Sequence, residues 1–446
     1  MIKLTETQKK FGQLLFSIAP PIALQEVLNA SVNMVDTLMI GRALGVSQVA
    51  AVGLANQITF LYILMIFGII SASGVFSGQF FGKGDIGSIH KIMGIGFMGA
   101  GLTALLFFGA AFFFPRQIIS IYSQDLEVIE MSASFLRIVA VSYFIMAITF
   151  TRNAALRSMR LTKFPMITTA IALSTNVVLN FFAIFVLELG ITGVAMGTVI
   201  SRAVELAAQE FFIRRYKLEV KASIRQYFDF DLLFLRKFLK VGVFIIFNEV
   251  TWAVGVSLYN VAYGIVGTEA QGAVQISMAM TNLFQVFGNS LAISAGIIVS
   301  NTLGERKPKL AIKYAHWCII CGVAISLIMG GLFVVFSPIL AGFYNFSPQV
   351  EQTIIYTMMI SAAMIVFRTC NFIMIVGILR SGGDTRWCFC VEMITVYAIG
   401  VPLAFLGARM GLPVYLVFLL AMSDEVIKSI IAFWRILSKK WVQTLV

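Results

Sequence analysis

Of 446 residues, 59% are hydrophobic and only 12% are charged, and the mean hydropathy is +0.92. Soluble domains carry roughly 25% charged residues because their surfaces must be wetted. Half that fraction excludes an ordinary soluble domain and points to lipid. The net charge of +12 raises the question of a nucleic-acid partner, which the placement of the basic residues answers.

Apolar blocks long enough to cross a bilayer core, which takes about 20 helical residues, predict six spans near 14–40, 49–81, 92–115, 132–155, 164–187 and 191–213. Six more are predicted near 239–263, 272–301, 314–341, 354–379, 387–407 and 412–437. The expected fold is an all-α integral membrane protein of about twelve transmembrane helices. The opening residues, MIKLTETQKKFGQ, are polar and lead into a full-length span, which predicts no cleavable signal peptide.

Basic residues fall on alternate loops. Lys3, Lys9 and Lys10 precede the first span, Lys83 and Lys91 follow the second, and Arg157, Arg160 and Lys163 follow the fourth. A basic stretch from Arg214 to Lys240 comes after the sixth, and Arg306, Lys307, Lys309 and Lys313, then Arg380 and Arg386, then Lys439 and Lys440 complete the series. The other loops hold little beyond Arg42, Arg116 and Arg409, and carry acids such as Asp125, Glu127, Glu130, Glu269 and Glu351. By the positive-inside rule this predicts a multi-pass protein of the cytoplasmic (inner) membrane with both termini in the cytoplasm. The positive excess is thereby explained and no nucleic-acid patch is expected. Cys318, Cys321, Cys370, Cys388 and Cys390 all lie in predicted spans and read as small apolar groups, and His90 and His316 are too isolated for a metal site or catalysis.

The chain matches itself at an offset of 222 to 223 residues. Gln25-Glu26-Val27 returns as Asn248-Glu249-Val250, Gly41 as Gly264, Gly45 as Gly267, Gly82 as Gly304, and Leu156-Arg157-Ser158 as Leu379-Arg380-Ser381. An even number of spans per half gives both halves one orientation. The two six-helix lobes are therefore expected to be related by a pseudo-two-fold axis along the membrane normal, with a binding site between them and alternating access by rocking. The expected organisation is an N-terminal lobe over 1–213, a cytoplasmic linker over 214–238 that is partly an interfacial amphipathic helix, and a C-terminal lobe over 239–446. A duplicated chain of this kind needs no second copy, so a monomer is expected.

Ionisable groups at membrane depth are costly and usually functional. In the first span Glu26, Asn29, Asn33 and Asp36 are spaced by three, four and three residues, which puts them on one helical face. Such a stripe must face protein or a watery cavity; the competing role for Asp36 is a simple helix-end cap. The fifth span carries Asn176 and Asn180, and the sixth carries Thr198, Arg202 and Glu205, where Arg202 and Glu205 form a functional or a purely structural pair. In the second half Glu249 lies mid-span beside Asn248, while Asn282, Gln285 and Asn289 stripe the eighth span. Arg368 and Asn371 lie on the tenth, with Arg368 the expected counter-ion for Glu249. Asp424 and Glu425, being adjacent, are expected to point apart, so that at most one faces a shared cavity.

A carboxylate desolvated among apolar helices takes up and releases protons more readily near neutral pH. With amide and hydroxyl oxygens around it, the same group is a hard-oxygen site for a small cation. Asp36 with Asn176, Asn180 and Thr198 would make a Na⁺ or H⁺ site if the spans meet. Twenty-one methionines and 40 phenylalanines mostly face lipid or pack helices. Their softness and their aromatic faces favour an amphiphilic or cationic organic substrate.

At these residues the sequence resembles the MATE (multidrug and toxic compound extrusion) family. PPIALQEVLNASVNMVDTLMIGRALG followed by VAAVGLANQI is similar to that family's opening signature, LNFFAIFVLELGITGVAMGTVIS to its fifth-to-sixth-span segment, and the two LRS segments to its repeated loop motif. The resemblance implies a bacterial exporter driven by Na⁺ or H⁺ influx, with no other cofactor. It puts the family's first-span aspartate on Asp36 and its cation-site partners on Asn176, Asn180 and Thr198. Asparagine at 180 resembles the NorM-type branch, whose seventh-span glutamate falls on Glu249. That branch's tenth-span aspartate is missing, because the stretch reads Arg368-Thr369-Cys370-Asn371, so the amino-terminal lobe is expected to carry the coupling ion. Glu26, Asn29, Asn33, Glu249, Asn282, Gln285 and Arg368 remain candidates for the substrate cavity or a second carboxylate site.

The leading expectation is a secondary active multidrug exporter. The alternative is a flippase for lipids or lipid-linked precursors in the same superfamily, where arginines would hold phosphates; here Arg137, Arg152, Arg202 and Arg368 lie within spans. An enzyme is not expected, since no HExxH or nucleophile constellation is present, and an ATP-driven pump lacks its GxxxxGK[ST] loop.

Overall fold

The computed structural model describes residues 5–342 and 348–446, apart from the side chains at 32–34 and 46. No strand occurs among the described residues. The first half contains α1 (Glu6–Ala43), α2 (Val46–Lys83), α3 (Ile86–Phe113), α4 (Pro115–Ile119), α5 (Leu126–Ala140), α6 (Ser142–Ser158), α7 (Lys163–Phe181) and α8 (Gly190–Arg215). After a linker turn, α9 (Ile224–Tyr227), come α10 (Leu232–Val266), α11 (Thr268–Gly304), α12 (Pro308–Gly342), α13 (Pro348–Asn371), α14 (Thr385–Met393), α15 (Val401–Arg409) and α16 (Val414–Leu437).

Ten of these helices, or helices continued through a π-helical segment, are long and apolar enough to cross a membrane, and α5 with α6 makes an eleventh span bent by 47°. The remaining long helix, α16, has 24 residues, enough for a core of about 30 Å at about 1.5 Å per residue. Asp424, Glu425, Lys428 and Arg435 make it less apolar than the others. About twelve membrane-length helices result. Their outward faces are apolar as well: Leu102, Leu105, Leu106 and Phe113 of α3 are all exposed, a patch that lipid covers and water would not tolerate.

The contacts divide the chain into two compact units, Leu24–Gly242 and Met1–Ala23 with Val243–Val446. The sequence boundaries set the first 23 residues with the first lobe. Residues 5–23 pack with the later unit because Phe11, Ile18 and Ile22 join a core with Leu291, Tyr314, Ile319 and Ile373. The division falls just after Pro20 and Pro21 inside α1, where proline removes backbone donors from the helical ladder. The other unit has its own core around Tyr62, Leu136 and Tyr143, with the two tyrosine rings stacked at 4.4 Å.

In the linker, α9 is a single capped turn and α10 already begins at Leu232, earlier than the expected boundary at 238. The turn is fastened to α3. The His90 ring nitrogen meets the Glu219 carbonyl at 2.6 Å, Lys91 pairs with Asp229 at 3.3 Å, and Tyr227 packs edge-on against Phe97.

The sequence repeat has a structural counterpart in each unit. Ser158 Oγ donates to the Gly74 carbonyl at 3.0 Å, and Ser381 Oγ donates to the Gly296 carbonyl at 3.2 Å. The serine of each LRS segment thus ties its helix to an equivalent glycine.

Candidate functional site

α7 brings Asn176 and Asn180 to Asp36 of α1. Asn180 Nδ2 donates to Asp36 Oδ1 at 3.0 Å. With its amide nitrogen turned towards Asp36, Asn176 donates to Oδ2 and Oδ1 at 3.1 and 3.2 Å. Both asparagines are buried, and Asn180 Oδ1 has no hydrogen-bond partner. The helix continues from Asn180 into a π-helical segment, Phe182–Val186, a distortion frequent at functional sites. On α8, Gly197 is there for space, since a Cβ would stand 2.6 Å from Asn180 Oδ1. Its neighbour Thr198 donates its hydroxyl to the Val194 carbonyl of its own helix at 3.0 Å, which leaves the hydroxyl oxygen's lone pairs available.

This arrangement suits reversible charge. An asparagine amide presents NH₂ to an ionised carboxylate or, turned over, its oxygen to a carboxylic acid or a hard cation. The orphaned Asn180 oxygen is a ready ligand, since a buried acceptor left unpaired is costly. The residues therefore fit a proton or Na⁺.

A second polar chain crosses the same unit through α1, α6, α7 and α8. Arg157 Nη2 donates to Gln25 Oε1 at 2.6 Å and stands 3.5 Å from Glu26. Gln25 Nε2 donates to Thr169 Oγ1 at 2.7 Å, Thr169 donates to Glu205 at 3.2 Å, and Arg202 donates to Glu205 at 2.9 Å. Of the first-span stripe, Glu26 and Asp36 are thus engaged in different networks. Asn29 is half-buried, and the side chain of Asn33 lies outside the described residues.

In the other unit the expected Glu249–Arg368 pair is replaced. Glu249 pairs with Arg380 at 2.7 Å, both largely buried. The reason is the repeat: Glu249 and Arg380 occupy the positions of Glu26 and Arg157, and the fold brings both pairs together. Arg368 acts instead on Glu425, through its charge rather than a close ion pair. Nor do Asp424 and Glu425 diverge fully, because Lys428 sits one turn on and reaches both at 3.6 Å. Its ammonium also donates to Glu392 at 3.0 Å. Asn371 donates to the Glu425 carboxylate at 2.6 Å and accepts from Ser429 at 2.8 Å. Gln285 is buried and donates to Thr369 at 3.1 Å, whereas Asn282 is exposed.

Sequence reasoning missed Lys428, Glu392 and the partnership of each LRS arginine with a glutamate. The signals were present. Lys428 follows Asp424 and Glu425 at helical spacing, and the Glu and LRS anchors repeat at one shared offset. Among the described residues, no group of three His, Cys, Asp or Glu side chains could hold a metal ion.

The chain is similar to the uncharacterized transporter YisQ of Bacillus subtilis (strain 168), at 27% identity over 96% of this chain and 95% of that one. It is also similar to the probable multidrug resistance protein YoeA of the same organism, at 25% identity over 86% and 84%. A crystal structure of MATE in complex with MaL6 superposes with a TM-score of 0.87 at 15% identity, covering 96% of this chain and 97% of that one, a likeness of fold. The MatE family model matches twice, over residues 21–182 and 245–406, once in each half of the duplication. With both halves so matched, the chain belongs to the MatE family of membrane transporters.

Proposed function

We propose that the protein is a secondary active multidrug exporter, extruding amphiphilic or cationic organic compounds in exchange for Na⁺ or H⁺ by alternating access. The observation that carries this reading is Asp36 flanked by the amides of Asn176 and Asn180, with the Asn180 oxygen unsatisfied. Asp36 takes up the cation, with Asn176, Asn180 and Thr198 as its oxygen partners. The resulting change of charge inside a low-dielectric bundle is large enough to bias which conformation is favoured. The probable multidrug resistance protein among its relatives supports the same substrate class.

The flippase alternative has less support because three of the four arginines that would hold lipid phosphates are already engaged. Arg152 pairs with Glu210 at 3.0 Å and Arg202 with Glu205 at 2.9 Å. Arg137 donates to the Phe112 carbonyl at 3.3 Å. The basic loops support insertion in the cytoplasmic membrane with both termini inside.

Purified protein in liposomes given an inward Na⁺ or H⁺ gradient is expected to expel a fluorescent cationic dye under one of the two. Gradient-independent movement of labelled lipid, with no dye transport, would favour the flippase.

A further inference from the structure

Inside the unit that ends the chain, three carboxylates face one ammonium. Glu392 of α14 receives a hydrogen bond from Lys428 at 3.0 Å. Glu425 receives one from Asn371 at 2.6 Å and lies 3.6 Å from Lys428. Asp424 Oδ2 lies 3.6 Å from Lys428, while Oδ1 has no hydrogen-bond partner, and the side chain is 4% exposed. Arg368 of α13 adds a second positive charge facing Glu425. Three negative charges thus stand against two positive ones, in a place where an unbalanced buried charge is expensive.

The surroundings of Asp424 suit a proton better than a metal. Lys428 already occupies the position a metal cation would need. From α10, the Tyr259 hydroxyl stands against the Asp424 carboxylate without a formed hydrogen bond, and Tyr259 is 5% exposed. A phenol both donates and accepts, so it serves an ionised or a protonated Asp424. Gly400 leaves no room for a Cβ beside that hydroxyl, which fixes its position. Tyr263 faces the same carboxylate from α10, and Tyr397 faces Glu392 but donates its own hydroxyl to the Thr251 carbonyl.

The repeat sharpens the contrast. Glu205, Arg202 and Thr169 in the first unit correspond at the 223-residue offset to Lys428, Glu425 and Glu392. The same positions carry a balanced pair in one unit and an over-acidic cluster in the other. We propose that Asp424, held beside Lys428 and with the unpartnered Tyr259 hydroxyl in its surroundings, is a second proton-binding site, carried by α16 in place of the seventh-span glutamate that Arg380 neutralises. The proton adds to Asp424 Oδ1 and leaves it again, with no other bond made or broken.

A role for this proton in coupling rests on the antiport reading above, whereas its binding does not, so the test measures binding directly. Infrared difference spectra of the purified full-length protein, stepped from alkaline to acid pH without Na⁺, are expected to show a carboxylic-acid C=O band that Asp424→Asn removes and Asp36→Asn leaves in place. Tyr259→Phe, which preserves the ring packing, is expected to keep the band but shift its frequency and pH midpoint. A wild-type acid-form spectrum unchanged by Asp424→Asn, or a band indifferent to Tyr259→Phe, would overturn the proposal. So would loss of the band on adding Na⁺ alone, which would make the site a metal-cation site. If these bands behave as expected while no gradient drives transport, the binding site stands and the antiport reading fails.

Discussion

Arg380 and Glu249 stand 2.7 Å apart inside the second unit, as Arg157 and Glu26 stand 3.5 Å apart in the first. The duplication has therefore preserved an ion pair between the middle of one span and the end of another. Its tighter copy is the more buried, with side chains 3% and 12% exposed.

Removing one partner of a buried pair costs about 3–5 kcal/mol, because a charge is left uncompensated. Arg380→Ala should lower the thermal unfolding midpoint in detergent sharply, and the double variant with Glu249→Gln should recover much of the loss. The loss caused by Arg368→Ala, whose charge acts on Glu425, should not be recovered by Glu249→Gln. Equal rescue of both arginine variants by Glu249→Gln would refute the assignment of partners.

Most of the fold was legible from residue type alone. Apolar blocks and their basic loops gave the spans, and the repeated anchors gave the duplication. α16 was placed at 412–437 despite its four charges. What composition could not provide was which helices meet. Arg157 and Arg380 read as ordinary topogenic loop arginines, because their partners lie 131 positions earlier along the sequence in each half. Charge and depth favour Arg368 as the partner of Glu249, and only packing shows that the arginine at the end of that span, Arg380, is the one that meets it. The packing of residues 5–23 was invisible for the same reason. Asp36, Asn176 and Asn180 were found together because their types imply shared chemistry, whereas Thr198 was named with them and spends its proton within its own helix.

The Gln25 amide joins Arg157 to Thr169 and so to Glu205. Gln25→Leu leaves those buried groups short of a partner, at a cost of about 1–3 kcal/mol. Its effect on thermal unfolding should be less than additive with that of Thr169→Val, since both cut one chain. Full additivity would mean that the chain does not act as a unit.

Gly197 lets α8 approach Asn180. Gly197→Ala would place a methyl 2.6 Å from Asn180 Oδ1, which must push that amide away from Asp36. Gradient-driven dye transport should fall several-fold while the protein still elutes as a folded species from size exclusion. Unaltered coupling in a folded variant would show that the Asn180 position is not critical.

Outside the membrane, burial raises the Tyr227 phenol above its ordinary 10.0. Its O–H donates to the Val220 carbonyl at 2.7 Å and accepts from the Ala222 N–H at 3.2 Å. The folded linker favours the neutral phenol, so this contribution is complete below about pH 10 and is lost as pH climbs through the raised value. Trypsin cleavage of the basic linker should accelerate only in that alkaline range, and Tyr227→Phe should remove the pH step.

In the proposed exporter, Asp36 is the coupling carboxylate. The most direct measurement is gradient-driven efflux of a fluorescent cationic dye from liposomes, comparing the wild type with Asp36→Asn under imposed Na⁺ and H⁺ gradients. The predicted result is transport driven by one gradient in the wild type and none in the variant, with dye binding retained. Wild-type efflux rates from a folded Asp36→Asn protein would contradict it.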